Sequence, residues 1–377
     1  MFCKSVENQI IMKKKKILYI VEAMGGGVFT YMVGLTNLLS NEYDMYIAYA
    51  IRPQTPSNYR DFFNNNIHLV EVKNFQRKIN PYKDIKSIIE IKKVVDEIKP
   101  DIIHLHSSKA GALGRIAFNG KKIPVFYTPH GYSFLMENYK PIKRKIFWLI
   151  EKFCAKKKCC TISCSVGEHK ETLGLTSRAL YVNNAININE LDRLLENVKE
   201  EVHPFTVFTL GRICYQKNPT LFNKIANKMQ DVKFLWIGDG ELRSELKSPN
   251  IEITGWIDRN EALKRSENAD VFLLTSRWEG LPMSLLEAMY MKKICVVSDV
   301  IGNKDVIENG VNGYVCHNIE EFIDAIKERN EKYINNAYDD LIKKYSVDVQ
   351  AEGYSKIYRK AIREYERYKI LCNYASV

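Results

Sequence analysis

The chain has 377 residues, of which 46% are hydrophobic and 27% charged, with a formal net charge of +11. That length exceeds one ordinary core, so two domains are expected, and the composition argues against a disordered or low-complexity protein. The positive balance favours anionic partners (nucleic acid, phosphorylated small molecules or an acidic membrane surface) without choosing among them.

The opening residues, MFCKSVENQIIMKKKKILYIV, set a basic stretch before a short apolar run, as a secretory signal does. They lack a small-residue cleavage site and lead straight into a strand-like segment. Met12 is an alternative start, which would make residues 1–11 an extension without structural meaning. No run of about 18 apolar residues occurs, so no membrane span is expected.

Residues 16–21, 43–50, 67–72, 101–106, 123–128 and 159–164 form short apolar, β-branched or aromatic runs that predict strands. Amphipathic segments separate them, such as DIKSIIEIKKVVDEI at 84–98, whose apolar residues recur at helical spacing. This alternation predicts βα units around a parallel sheet. After the first strand, Gly25, Gly26 and Gly27 open a helix, where backbone N–H groups can approach an anion. A tight turn without ligand fits these glycines as well. A nicotinamide site would need Gly-x-Gly-x-x-Gly, and Gly34 lies too far on, which counts against a dinucleotide oxidoreductase.

The segment 139–160 is strongly basic, with Ile142, Ile146, Leu149, Ile150 and Phe153 forming an apolar stripe. It reads either as a core-packed helix with a solvated basic face or as a surface that docks on an anionic leaflet. Nine cysteines, among them Cys154, Cys159, Cys160, Cys164, Cys295 and Cys316 in apolar runs, show no disulfide framework and no matched Cys-x-x-Cys pairs. Reduced thiols in a cytosolic protein without a zinc site are expected.

The pattern breaks at 183–204, a polar, acidic stretch ending in Pro204, and restarts with strands at 205–211, 232–238, 251–255, 270–276, 293–298 and 312–316. Domains are therefore expected at 1–182 and 205–345, joined by 183–204. The tail from about 346 is one long helical pattern whose Tyr/Ile/Ala face needs a surface to bury against.

The second half opens with TLGRICYQKNP, which puts Arg212 and Lys217 in a loop directly after a strand. A guanidinium gripping two oxygens beside a mobile ammonium suits a diphosphate, although two solvated cations would look the same. In EGLPMSLLEAM, 279–289, Pro282 suits the first position of a helix. The helix tip would face the Arg/Lys loop, with Glu279 before it and Glu287 roughly 7.5 Å beyond Pro282 along the axis. Such a helix suits a sugar nucleotide: polyol, diphosphate and ribose in a row, with carboxylates accepting from vicinal hydroxyls. Glycosidase carboxylates instead face each other across a bond at about 5–10 Å, usually from different elements.

With these pieces the chain resembles the family-4 retaining glycosyltransferases of GT-B architecture. The likeness runs from Lys16 to the C-terminal helix and rests on the glycine turn, TPHG (128–131), LGR with Lys217, GDGEL (238–242), EGLPMSLLEAM and IENGVNGYV (307–315). It implies two facing Rossmann-like α/β domains with a cleft between and a final helix, 346–372, crossing back to the N-terminal domain. It implies a hexosyltransferase-type enzyme with a nucleoside diphosphate sugar, expected to be UDP-linked, on the C-terminal side and an acceptor on the N-terminal side, with no required metal or other cofactor. The acceptor would be a glycan or lipid-linked saccharide in surface polysaccharide assembly, with peripheral contact to the cytoplasmic membrane face and no nucleic acid.

Carried onto this chain, Arg212 and Lys217 would neutralise the leaving diphosphate. Glu279, with the backbone of Gly280 and Leu281, would hold the sugar, and Glu287 the ribose. Gly26 and Gly27 would lie against the phosphates, Gly238 on the donor side, and the 255–257 backbone, with Trp256 and Ile257, beside the base. His130 matches the family's cleft histidine near the reacting centre. His104 and His106 are read as facing opposite sides of the sheet, with His106, Ser107 and Lys109 lining an acceptor pocket. Two departures stand out: Asn218 where the family often has Gly, and Asp305 where it usually has Glu. A GT-B-type sugar-nucleotide epimerase and a catalytically silent nucleotide-sugar binding protein are the alternatives.

Overall fold

The computed structural model describes residues 13–374 except 23, 53–54, 77–78, 197 and 199–201. The expected extension 1–11 and the alternative start at Met12 lie outside the described residues.

Two parallel sheets organise the chain. The first contains β1 (Lys16–Val21), β2 (Asp44–Tyr49), β3 (His68–Glu71), β4 (Ile102–His106), β5 (Val125–Thr128), β6 (Cys159–Ser163) and β7 (Ala179–Tyr181), in the order β3-β2-β1-β4-β5-β6-β7. The second contains β8 (Thr206–Leu210), β9 (Lys233–Ile237), β10 (Ile251–Ile253), β11 (Val271–Leu274), β12 (Ile294–Ser298) and β13 (Tyr314–Cys316), in the order β10-β9-β8-β11-β12-β13. The order reverses between β1 and β4 and again between β8 and β11. In open parallel sheets that reversal leaves a crevice at the carboxyl ends of the strands, where ligands bind.

The helices, in chain order, are α1 (Gly26–Leu39), α2 (Pro81–Ile98), α3 (Ser108–Ala117), α4 (Pro141–Ala155), α5 (Val166–Leu173), α6 (Ile188–Leu195), α7 (Pro219–Lys228), α8 (Arg259–Glu267), α9 (Met283–Tyr290), α10 (Ile319–Glu328), α11 (Lys332–Lys344) and α12 (Val347–Tyr374). They bury both faces of each sheet, so central strands such as Ile17–Val21 are apolar throughout, unlike the alternating strands of half-exposed sheets. Tyr354, Tyr358 and Ile362 of α12 pack with Tyr19, Tyr31 and Leu35 beneath the first sheet. The apolar face of the tail is thus buried against the N-terminal domain.

The segment 183–204 is more than a polar connector. It contains α6, capped by Asn187, whose side chain accepts from the Glu190 N–H, and pinned by Leu191 in the core of the second domain. With only one fully buried apolar residue, the helix is hidden in the composition.

α4 turns Glu151, Cys154 and Ala155 inward, and Glu151 pairs with the buried Arg115 at 2.6 Å. Its apolar stripe points out, with Ile142 77% and Phe153 58% exposed. The core-packed reading of that stripe is therefore wrong: the inward face is taken by small residues and an ion pair. The seven described cysteines are all free. No described helix is long and apolar enough to cross a membrane.

Candidate active site

A cleft of about 770 Å³ opens between the two sheets, outside the carboxyl ends of their strands. Gly26 and Gly27 after β1, His130 after β5, Arg212 and Lys217 after β8, Ile257 after β10, and Glu279, Gly280, Leu281 and Glu287 around α9 all line it. Ten of the residues expected from the sequence are thus brought to one place.

The α9 tip is built by burial behind it. Leu285, Leu286, Ala288 and Met289 are all inaccessible to solvent and lock the helix against the second sheet. Pro282 is its N-cap, at φ −75° and ψ 122°, one position earlier than expected. It supplies the carbonyl that Leu285 reaches at 3.2 Å, which leaves the N–H groups of Met283 and Ser284 outside the helical ladder.

Glu279 sits just before that tip and is almost fully buried. Its Oε1 lies 2.8 Å from Lys217 Nζ and accepts from Ser276 Oγ at 2.7 Å, while Oε2 accepts from Gln216 Nε2 at 3.1 Å. The Arg/Lys loop is itself tied down, because Thr275 Oγ1 donates to the Lys217 carbonyl at 2.8 Å. Asn218 adopts φ +55°, a left-handed conformation that asparagine tolerates, and its Oδ1 accepts from Arg277 at 2.9 Å. This departure from glycine alters the turn's fastening while leaving its path intact. Arg212 is half-exposed and pairs with Glu241 at 2.9 Å, an exposed pair worth little by itself.

Glu287, expected to hold ribose, is buried and lies 2.7 Å from an Arg259 guanidinium nitrogen. Arg259 also approaches Glu190 at 3.4 Å, and the nearby Glu287 charge raises its already high pKa. Arg259 and Glu190 are outside the sequence reading because α8 and α6 meet α9 only in the folded chain.

His130 lies at φ +56° in the turn after β5. Glu168 fixes that turn by accepting from Gly131 N at 2.7 Å and Cys164 N at 2.8 Å, and burial pushes the Glu168 carboxyl up. Burial pushes His130 down to about 3, and it holds His104 and His106 well below the ordinary histidine range. All three are neutral near pH 7.

Several assignments need correction. His104 and His106 share one face of β4, with ring centroids 4.1 Å apart, because residues two positions apart on a strand point the same way. His106 is fully buried behind His130, and Lys109 turns away to pair with Asp84 of α2 at 2.6 Å. Neither they nor Ser107, at the N-cap position of α3, lines the cleft. Trp256 points to solvent at 68% exposure, and only Ile257 of that stretch reaches the cleft. Gly238 lies under the Arg212 turn instead: at φ +134°, an added Cβ would sit 2.3 Å from the Gly211 carbonyl oxygen.

The two halves also meet directly. Asp305 Oδ2 accepts from Gly167 N at 2.9 Å, and Asn184 Nδ2 donates to the Leu281 carbonyl at 3.1 Å. The second departure, Asp305, therefore bridges the domains at the start of α5.

Comparison with known proteins agrees with this geometry. The family profile described as Glycosyltransferase Family 4 matches residues 25–190, and that described as Glycosyl transferases group 1 matches 204–330. The chain is 32% identical over 312 residues to the UDP-Gal:alpha-D-GlcNAc-diphosphoundecaprenol alpha-1,3-galactosyltransferase of Escherichia coli, covering 73% of this chain and 78% of that protein. In fold it is similar to sucrose-phosphate synthase from Thermosynechococcus elongatus, with a TM-score of 0.77 at 14% identity over 93% of this chain and 100% of the other. It is also similar to Anabaena Alr3699/HepE, solved in complex with UDP and glucose, with a TM-score of 0.72 at 15% identity over 92% and 100%. On that sequence likeness, carried by two Rossmann-like domains facing one cleft, the chain belongs to the family-4, group-1 glycosyltransferases of GT-B fold.

Proposed function

We propose that this glycosyltransferase moves a sugar, with retention of anomeric configuration, from a UDP-linked donor to a hydroxyl of a lipid-linked saccharide in surface polysaccharide assembly. The observation that carries the reading is the meeting of Lys217, Arg212 and the α9 tip in one cleft with Glu279 and Glu287. The relative from Escherichia coli is named for a UDP-sugar donor and a diphosphoundecaprenol acceptor, which supports both substrate classes.

In this mechanism Lys217, Arg212 and the first-turn N–H groups of α9 meet the charge that grows on the departing β-phosphate, where preorganised electrostatics contributes most. Glu279 and the Gly280–Leu281 backbone hold the donor sugar, Glu287 takes the ribose, and Gly26 and Gly27 close over the phosphates from the N-terminal side. Both carboxylates already pair with cations, Lys217 and Arg259, and neither is assigned as a nucleophile. The leaving phosphate takes the acceptor proton on the same face, which accounts for retention. No metal or other cofactor is assigned a step.

The exposed face of α4 would dock on an anionic leaflet, with Ile142, Ile146, Leu149 and Phe153 entering the interface and the surrounding lysines meeting headgroups. This face lies on the acceptor-side domain, where a lipid-linked substrate would arrive. Incubation with UDP-, GDP- and ADP-sugars and a polyprenyl-diphosphate saccharide tests the reading. A saccharide extended by one sugar, formed from a UDP donor with the donor's anomeric configuration, is expected. Donor epimerisation, or binding without transfer to any acceptor, would overturn it.

A further inference from the structure

Behind the cleft histidine lies a row of buried polar rings that the mechanism above does not use. His106 Nδ1 is 3.1 Å from His130 Nε2. His104 lies beside His106 with the two rings tilted by 32°, and is held at both nitrogens, by Tyr358 Oη of α12 at 2.5 Å and by Thr128 Oγ1 at 2.9 Å. Tyr19 and Tyr31 complete the walls, with ring centroids 4.5 and 5.7 Å from that of His106. His106 Nε2 is buried and has no hydrogen-bond partner among the described residues.

That orphan atom decides which way the bond between the two histidines runs. Both rings are neutral, so one N–H must donate to the other ring's lone pair. If His130 were the donor, His106 would carry its own proton on Nε2, leaving a buried N–H with no acceptor. If His106 donates from Nδ1, only a lone pair is left unmet. Orphaned buried N–H groups are the rarer of the two, so the second arrangement is favoured. His130 must then accept at Nε2 and carry its proton on Nδ1.

The geometry points to His106 as a positioning residue that fixes His130 as the Nδ1–H tautomer, so that the cleft receives a permanent N–H donor, with His104 and Tyr358 holding His106 in place. The consequence for transfer rests on the proposed glycosyl transfer in this cleft, which His130 lines, and on the family resemblance that sets His130 near the reacting centre. A fixed donor is suited to a sugar hydroxyl oxygen, and it stays a donor across the neutral range because the ring does not gain a second proton. The helix that crosses back from the C-terminal end, α12, contributes to the site through Tyr358.

The test is nitrogen-15 NMR of the full chain labelled at histidine, without ligand, with the His130 signal identified by its loss in His130→Asn. An Nδ1–H pattern is expected for His130 in the unmodified protein. In His106→Leu the ring should shift toward the Nε2–H form, and kcat, read as UDP released in the presence of acceptor from the UDP-sugar that the unmodified chain turns over, should fall about 10- to 100-fold with little change in donor KM. His106→Asn places an amide N–H where Nδ1 was and should restore both. An Nε2–H pattern in the unmodified protein overturns the inference, as does an unchanged His130 spectrum in His106→Leu. If His106→Leu does not fold, the unmodified spectrum and that of His106→Asn decide. Full turnover in His130→Ala would instead defeat the role given to His130 while leaving the tautomer assignment intact.

Discussion

Lys217 Nζ and Glu279 Oε1 stand 2.8 Å apart at the floor of the cleft, so the cation meant for a diphosphate is held by the carboxylate meant for a sugar. Donor binding must trade this pair for two new ones. In the proposed mechanism Lys217 would turn to the phosphate, and the Ser276 and Gln216 bonds to Glu279 would keep that exchange from stranding a buried charge. Replacing Lys217 should leave the pocket shaped but short of one positive charge. Lys217→Ala is expected to lower kcat about 10²- to 10³-fold at saturating donor, in line with losing one transition-state donor. Steady-state rates showing less than a few-fold loss would remove Lys217 from the chemistry.

Glu287 presents the parallel case with Arg259 at 2.7 Å. If it also takes the ribose, Glu287→Ala removes charged hydrogen bonds worth about 1.5–3 kcal/mol, or about 10- to 150-fold in Kd for UDP. Calorimetric titration checks this, and binding of UDP unchanged by the substitution would argue that Glu287 serves only to pair Arg259.

Gly238 supports the Arg212 turn through a close approach that no side chain fits. Gly238→Ala should cost about 1–3 kcal/mol through its backbone conformation alone, and more if Gly211 cannot yield. The displaced turn carries Arg212, so donor KM should rise along with the fall in Tm. A variant of unchanged melting temperature and KM would show that the turn is soft.

Stability should depend on pH through the buried His104 and His106 and the partly buried His130. His104, His106 and His130 stay neutral when folded but titrate near 6.5 when unfolded. Below that value the unfolded chain takes up protons that the folded one refuses, so stability is complete above about pH 6.5 and declines as pH falls, for His130 down to about 3. Each contributes a slope of about 1.4 kcal/mol per pH unit once well below 6.5. Glu42, held at about 2 chiefly by its hydrogen bond to Arg359, begins to lose its contribution only in the lower carboxylate range, and the raised Glu168 works in the opposite sense. Urea unfolding between about pH 5 and 7 reads the three histidines less the opposing contribution of Glu168. A flat profile there would contradict neutral burial.

Docking of α4 gives a separate expectation. Ile146→Glu combined with Phe153→Glu puts charge on an exposed face and should leave folding intact while lowering co-sedimentation with anionic vesicles. Equal sedimentation of both proteins would assign the stripe another purpose.

Much of this is legible in the amino-acid sequence. The α9 tip and the Arg/Lys loop could be read because each is a continuous stretch in which a turn, a cap and a charge occur together. The parallel sheets followed from alternating strands and helices. What could not be read is whatever depends on distant segments meeting. Arg259 reaches Glu287 only because α8 packs beside α9, and Tyr358 joins the histidine row from the far end of the chain. The placement of His104 and His106 on opposite faces was an error of period, and Lys109 was lost to Asp84 of α2, a partner invisible in local sequence. In the 255–257 stretch expected to lay its backbone beside the base, the Trp256 side chain faces solvent and Ile257 lines the cleft.

The central claim is that the α9 tip and the loop bearing Arg212 and Lys217 jointly hold a nucleoside diphosphate. The direct measurement is calorimetric titration of UDP, GDP and ADP into the unmodified chain, Lys217→Ala and Glu287→Ala. The account predicts saturable binding of UDP that weakens at least about tenfold in each variant. No binding of any diphosphate, or equal binding by all three proteins, would contradict it.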